Sequence, residues 1–251
     1  MNNKPLFSII TVCLNSSQTI EKTIQSVLNQ TCSNYEYIVI DGVSNDGTLE
    51  IVRKLLNDNK VINSIVSEKD NGIYDAMNKG IKIANGDWIL FLNSGDFLFD
   101  KYVLEKVSKT INNSVSYIYG DTIMYNESSE KIIKASDIKG IKKKMPFCHQ
   151  SVFNRASCIK KHGYDLNYRV CADYNYYVGE YLDGKTFMRV PFVVSKYLAG
   201  GMSKRNLKLY MGERCAIRKK AHFTNTIFLP LLFLKVRYFF SSVIKSIVKR
   251  V

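Results

Sequence analysis

Tyr35–Gly47 reads YEYIVIDGVSNDG. Tyr35–Ile40 is a short run of aromatic and β-branched residues, which makes a strand, and Asp41-Gly42 stops it. Ser44-Asn45-Asp46-Gly47 follows as a polar turn. The same grammar extends in both directions. Upstream, Phe7–Leu14 (FSIITVCL) is a continuous apolar run that suits a strand buried on both faces of a parallel sheet. Between these strands Ile20, Ile24, Val27 and Leu28 recur at helical spacing, with Ser16 and Ser17 placed to cap the helix. Downstream come a helix at Leu49, Val52, Leu55 and Leu56, and a strand over Val61–Val66. A third helix at Ile73, Ala76, Met77 and Ile81 precedes a fourth strand, Trp88–Leu92 (WILFL). Strictly alternating strands and helices of this length give a parallel sheet with right-handed crossovers.

Such sheets bind ligands beyond the carboxyl ends of their strands. Polar clusters at Asn15, Asp41, Glu68–Asn71 and Asn93–Asp96 stand at those ends, in register. After Asp100 the pattern loosens. Tyr117–Met124 and Thr186–Tyr197 read as strands and Arg205–His222 as a helix. Lys131–Lys144, with six lysines and the single acid Asp137, reads as a mobile basic loop.

The chain has 251 residues, 46% of them hydrophobic and 23% charged. It can therefore build one sizeable core with an appended element, and is not a disordered chain. Six cysteines include no CxxC pair, which argues against a zinc ribbon or thioredoxin-type site. The start, MNNKPLFSIITVCLN, lacks a secretory pattern, so free thiols in a reducing cytoplasm are expected. A net charge of +14 favours anionic partners. Nucleic acid is one such class, but the cations gather in a loop and an apolar tail and form no nucleic-acid module, so no nucleic-acid partner is expected.

Several segments together resemble the inverting family 2 glycosyltransferases, which have the GT-A fold. They are Ser8–Asn15 (SIITVCLN), Tyr37–Thr48 (YIVIDGVSNDGT), Ser67–Gly80 (SEKDNGIYDAMNKG) and Ala84–Asp96 (ANGDWILFLNSGD), extended by Pro146–Arg155 (PFCHQSVFNR) and Arg169–Tyr176 (RVCADYNY). The likeness runs over about residues 5–200 and is closest to bacterial enzymes of colanic acid, capsule and O-antigen assembly. It implies a mostly parallel α/β domain at 1–204, with a nucleotide-binding half at 1–100 and an acceptor or catalytic half at 101–204. A helical extension occupies 205–251.

The implied reaction moves a sugar from a nucleotide diphosphate, UDP by family frequency, onto a hydroxyl of a lipid-linked or oligosaccharide acceptor. A leaving diphosphate needs a cation, and Mn²⁺ or Mg²⁺ takes hard oxygen ligands. The resemblance assigns the metal to Asp96. Here the sequence departs from the family: Asn93-Ser94-Gly95-Asp96 replaces an Asp-x-Asp-Asp cluster, so Gly95 stands where a carboxylate usually meets the ribose. Ser94, Asn93 or backbone groups are the substitutes for that contact. The resemblance puts Asp41 on the base, with Thr11 to Asn15 as the opposite wall. Asp70, Asp75 and Asn78 join the donor site, the last two sharing a helix face opposite Met77 and Ile81. Asp46 reads as a cap.

Asp173 matches the family's catalytic base, a carboxylate that takes the acceptor proton. Asp165 is a second candidate and reads better as a loop anchor. His149-Gln150 is a further family-like pair, either a contact to acceptor or donor sugar, a structural histidine, or a base or metal ligand. Gly200-Gly201 lets backbone amides approach a phosphate, or makes a simple turn, and Lys204 and Arg205 can neutralise the diphosphate.

From Arg214 to Val251 there are nine Lys or Arg and no acid. Ile227–Leu234 is too short to span a bilayer. Val236, Phe240, Val243, Ile247 and Val251 line one side of a basic amphipathic helix, which fits an anionic membrane surface on the cytoplasmic face of a bacterial inner membrane. Packing on the core, or a homodimer contact, is the other use for such a helix. Two other functional classes compete: a sugar-nucleotide binder without transfer activity, raised by Gly95, and a nucleotidyltransferase. Asn15-Ser16-Ser17-Gln18 stands where a nucleotidyltransferase carries its glycine-rich basic loop, which disfavours that class.

Overall fold

The computed structural model describes residues 4–57 and 62–223. Strands β1 (Phe7–Cys13), β2 (Tyr35–Asp41), β3 (Ile62–Ser67) and β4 (Trp88–Phe91) alternate with helices α1 (Ile20–Leu28), α2 (Thr48–Asn57) and α3 (Ile73–Ile83). The expected alternation is met. β1 and β2 are buried along their whole length, as strands with helices on both faces must be.

The second half adds β5 (Phe97–Leu98), α4 (Val103–Ser108), β6 (Tyr117–Tyr125), β7 (Glu130–Ile133), β8 (Val152–Arg155) and α5 (Ala156–His162). It ends with α6 (Ala172–Leu182), β9 (Phe187–Leu198), α7 (Met202–Arg205) and α8 (Leu207–Lys220). Among the described residues the sheet runs β3-β2-β1-β4-β8-β6-β9-β5, with β7 beside β6. β3, β2, β1 and β4 are mutually parallel, whereas β8 enters antiparallel to both β4 and β6. Parallel pairing thus runs through the first half and recurs between β6 and β9, while β8, β7 and β5 pair antiparallel, so the sheet as a whole is mixed. β6 and β9 are parallel with a register shift around Gly120, where an added Cβ would lie 2.6 Å from the Phe192 carbonyl oxygen.

Period-two alternation sends β1 side chains into two apolar layers. Ile10 and Val12 pack with Met77 and Ile81 of α3, and Phe7 and Ile9 pack with Ile24 and Val27 of α1. Ser16 and Ser17 do not cap α1. Its N-cap is Thr19, without a side-chain cap bond; the Ser16 carbonyl takes the N–H groups of Thr19 and Ile20, and the Ser17 N–H goes to Asp46 Oδ2 at 3.0 Å. Asp46 does cap α2, accepting the Thr48 N–H at 3.1 Å.

Lys131–Lys144 is not a loose loop. Its start pairs with β6 as β7, and Ile138–Lys142 forms a 3₁₀ turn whose Asp137 side chain caps it. Ala135 and Ile141 are buried, so apolar anchors tie the segment down while its lysines face water. α8 packs on α6, with Ile217 in the core. No helix among the described residues is long and apolar enough to cross a membrane. The basic helix anticipated beyond 223 lies outside the described residues.

Candidate functional site

The loop Asn93–Asp96 leaves β4 at the carboxyl edge of the sheet. Leu92 and Ser94 donate their N–H groups to the carbonyls of Ile10 and Val12 in β1, and Asp96 N–H returns to the Asn93 carbonyl in a tight turn. Gly95 sits in this turn at φ +90, a conformation that disfavours any side chain. Its N–H meets Thr23 Oγ1 and its carbonyl receives the Tyr125 hydroxyl at 2.7 Å. The turn therefore gives a reason for glycine at this position.

Asp96 is only 7% exposed. Burial pushes its carboxyl up to about 6, against a smaller opposing pull from the Gln150 amide, which donates to Oδ2 at 3.0 Å, and from His149. His149 and Gln150 belong to one 3₁₀ turn, His149–Ser151, ahead of β8. His149 Nδ1 stands 3.5 Å from Asp173 Oδ2, and its Nε2 lies 3.1 Å from Asn93 Nδ2. Asp173, in the first turn of α6, receives the Tyr74 hydroxyl at 2.9 Å and the Tyr174 N–H at 2.8 Å, both on Oδ1. Asn93 Oδ1 is buried and has no hydrogen-bond partner.

These groups share one cavity of about 440 Å³. Asn93, Ser94, Asp96, His149, Gln150 and Asp173 line it, and Gly201 and Arg205 stand in its wall with Lys204. Thus the metal candidate, the base candidate and the His149-Gln150 pair between them meet in a single place. Ser94 Oγ is 3.0 Å from Thr19 Oγ1, tying the loop to the start of α1. Arg205 bonds the Gly200 carbonyl through Nε, and open space lies over both Gly200 and Gly201. The walls are apolar enough to raise the Cys148 thiol, by burial, to about 11.

The nucleotide half behaves differently. Asp41, Asn15 and Asp70 sit at the same sheet edge but do not line the cavity. Asp41 is fully buried and faces Ser44 and Ser67 instead of solvent. Burial acts to raise its carboxyl, yet the bonds from Ser44 and Ser67 outweigh this and hold it below the ordinary range. It organises the rim, and has no open oxygen as it stands. Asn15, at φ +49, clips the two rim loops together: its N–H meets Ser44 Oγ at 2.8 Å and its Oδ1 accepts the Asn45 N–H at 3.0 Å. Asp70 accepts the Gly72 N–H at the start of α3, and its other oxygen fills the space that a Cβ on Gly42 would take.

Three expectations need correction. Thr11 is no pocket wall: it faces the α1 side of the sheet, where its hydroxyl bonds the Leu92 carbonyl at 2.7 Å and lies 2.9 Å from the Tyr37 hydroxyl. Asn78 does not face a nucleotide, because its amide clamps the backbone of Tyr164 by donating to the carbonyl and accepting the N–H. Asp75 accepts the Asn71 N–H and sits 3.9 Å from Lys79 Nζ, so it too serves local structure. The Asp165 side chain bonds Asn167 and its carbonyl takes the Tyr168 N–H, both within its own loop.

Sequence reasoning missed Tyr74, Gly42 and Glu213. Tyr74 and Gly42 both lie inside the quoted motifs, one before Asp75 and the other after Asp41. Glu213 carries no motif signal. It reaches from α8 to accept the N–H groups of Arg169, Val170 and Cys171, the residues that lead into Asp173.

A sequence profile for Glycosyl transferase family 2 matches residues 8–175. A "PGL/p-HBAD biosynthesis glycosyltransferase" of Mycobacterium bovis is 34% identical over 178 residues, which is 68% of either chain. Among solved structures, S. aureus TarS 1-349 in complex with UDP-GlcNAc superposes with a TM-score of 0.67 at 18% identity, over 84% of this chain and 66% of that one. The mannosyltransferase PcManGT from Pyrobaculum calidifontis, in complex with GDP-Man and Mn²⁺, gives 0.66 at 15% identity, over 90% of this chain and 66% of that one. At such identities the two structures speak for a shared GT-A-like fold.

Proposed function

The chain belongs to glycosyl transferase family 2, and from that premise we propose that it transfers a sugar from a nucleotide diphosphate donor to an acceptor hydroxyl, inverting the anomeric centre. The observation that carries this reading is the shared cavity, with Asp96 and Asp173 bridged by His149-Gln150. An inverting transfer needs a cation-holding group on the leaving side and a base on the other. Asp173 takes the acceptor proton through Oδ2, since Oδ1 already receives two donors. Asn93 Oδ1 offers a hydroxyl of the donor an otherwise unpartnered acceptor. Lys204 and Arg205 bring positive charge to the cavity wall for the diphosphate.

Mn²⁺ or Mg²⁺ fits this site. Asp96 would hold it, because a buried carboxylate with a raised pKa gains by acquiring a dication. No group of three or more His, Cys, Asp or Glu ligands exists among the described residues, so donor phosphate oxygens and water would complete the shell. When bound, the ion supplies charge neutralisation for the departing diphosphate. UDP is the preferred donor nucleotide, a reading supported by the TarS complex, and a lipid-linked saccharide at the cytoplasmic face of a bacterial membrane is the preferred acceptor, supported by the basic composition from Arg214 onwards.

A thermal-shift panel of UDP-, GDP- and dTDP-sugars with and without Mn²⁺ tests the donor assignment. One donor should stabilise the protein by about 2.7 kcal/mol at a hundredfold excess over Kd. That shift should require Mn²⁺ and vanish in Asp96→Asn. A chain that no nucleotide sugar stabilises is not this enzyme.

A further inference from the structure

His149 occupies a position that its sequence neighbours do not explain. Its Nε2 faces Asn93 Nδ2 at 3.1 Å. An amide nitrogen only donates, so Nε2 accepts and the ring proton sits on Nδ1. Nδ1 is the nitrogen that looks at Asp173 Oδ2, 3.5 Å away. On the far side of that carboxylate, Tyr74 and the Tyr174 N–H both bind Oδ1. The carboxylate is thus pinned through one oxygen and left with one oxygen for chemistry. His149 is the residue that faces that oxygen. Both side chains are largely enclosed, at 19% and 17% exposure, and both line the cavity.

We propose that His149 is a positioning residue of the transfer reaction, with its Nδ1–H, fixed by Asn93, aiming Asp173 Oδ2 at the acceptor hydroxyl. This rests on Asp173 being the base. The step balances without a proton change on His149. The acceptor oxygen forms its bond to the anomeric carbon, and its proton passes to Asp173 Oδ2. The bond from the anomeric carbon to the diphosphate breaks, and its electron pair leaves with the diphosphate. At 3.5 Å the ring is outside hydrogen-bond range, and the contact closes as the acceptor fills the cavity. Gln150, in the same turn, holds Asp96, so one short segment sets the spacing of both carboxylates.

The test uses three substitutions. His149→Asn keeps an amide donor where Nδ1 stands, His149→Gln keeps one where Nε2 stands, and His149→Ala keeps neither. Release of nucleoside diphosphate is followed with UDP-N-acetylglucosamine and with GDP-mannose, each with Mn²⁺. The Ala and Gln variants should lose about a hundredfold in kcat, the low end for proton-transfer catalysis, while Asn recovers at least about tenfold of it. Donor KM and Kd for UDP should stay within about twofold, since ground-state binding is untouched. A merely structural histidine would show Asn and Gln alike, or a KM effect, and either result overturns the proposal. Asp173→Asn is run in parallel. If it keeps full turnover, the base reading fails and the proposal with it; if it is inactive while His149→Ala is fully active, only the proposal fails. A readout without turnover is ¹⁵N NMR of the imidazoles. His149 should be in the Nδ1–H tautomer and should shift on Asp173→Asn, and an Nε2–H tautomer would overturn the assignment whether or not either donor is used.

Discussion

Asp96 shows how burial of one side chain ties stability to pH. Below its ordinary value of 3.8 the carboxyl is neutral in folded and unfolded chains alike. As pH rises towards about 6 the unfolded chain releases a proton that the folded chain still holds, so stability falls. The loss is complete once pH passes the folded value, and amounts to about 3 kcal/mol. Denaturant titrations between about pH 4 and about pH 7.5 should show this decline in the metal-free protein and its absence in Asp96→Asn. Saturating Mn²⁺ should cancel it in the unsubstituted chain; equal slopes for both chains would contradict the assignment. Asp96 and Asp173 are legible in the sequence because each sits in a motif at the end of a strand or start of a helix. The motif alone misplaces Thr11, although the period of two sets it with Ile9 and Cys13, on the sheet face away from the cavity. Asn78 is beyond local reading, because its partner Tyr164 is 86 positions away and no nearby pattern announces that pair.

At the scale of elements, α6 and α8 show how a functional residue is held at a distance. Glu213 of α8 collects three backbone N–H groups in the segment that delivers Asp173 to the cavity. Glu213→Ala leaves those donors without their carboxylate and should cost about 2–3 kcal/mol in urea denaturation, with the m-value unchanged. Asn78→Ala strips both bonds from the Tyr164 backbone and loosens α3 from that loop, costing about 1–3 kcal/mol by the same measurement. The first four strands and three helices are readable because buried parallel strands are continuous apolar runs and their helices repeat strictly. In the second half the two long strands, β6 and β9, and the helix α8 are readable in the same way, whereas β5, with only two residues, and the edge strand β7 carry no such pattern. The stretch from Lys131 to Lys144 misleads because charge count hides spacing: the buried Ala135 and Ile141, the β7 pairing and the Asp137 cap fix it together.

For the whole molecule, the excess of positive charge is concentrated towards the carboxyl end, where Glu213 is the last acid and nine cations follow it, starting at Arg214. Flotation of the full chain with vesicles rich in anionic lipid should recover it in the bound fraction, and zwitterionic vesicles should not. Raising salt should release it, since such attraction falls off within a Debye length. The catalytic account stands on a division of labour inside one cavity, with Asp96 on the leaving-group side and Asp173 on the acceptor side. The most direct measurement compares Asp173→Asn with the unsubstituted chain, by calorimetric binding of the stabilising nucleotide sugar with Mn²⁺ and by its turnover. The account requires unchanged donor affinity together with turnover reduced at least about a hundredfold. Turnover at the unsubstituted rate, or loss of donor binding in step with activity, would contradict it.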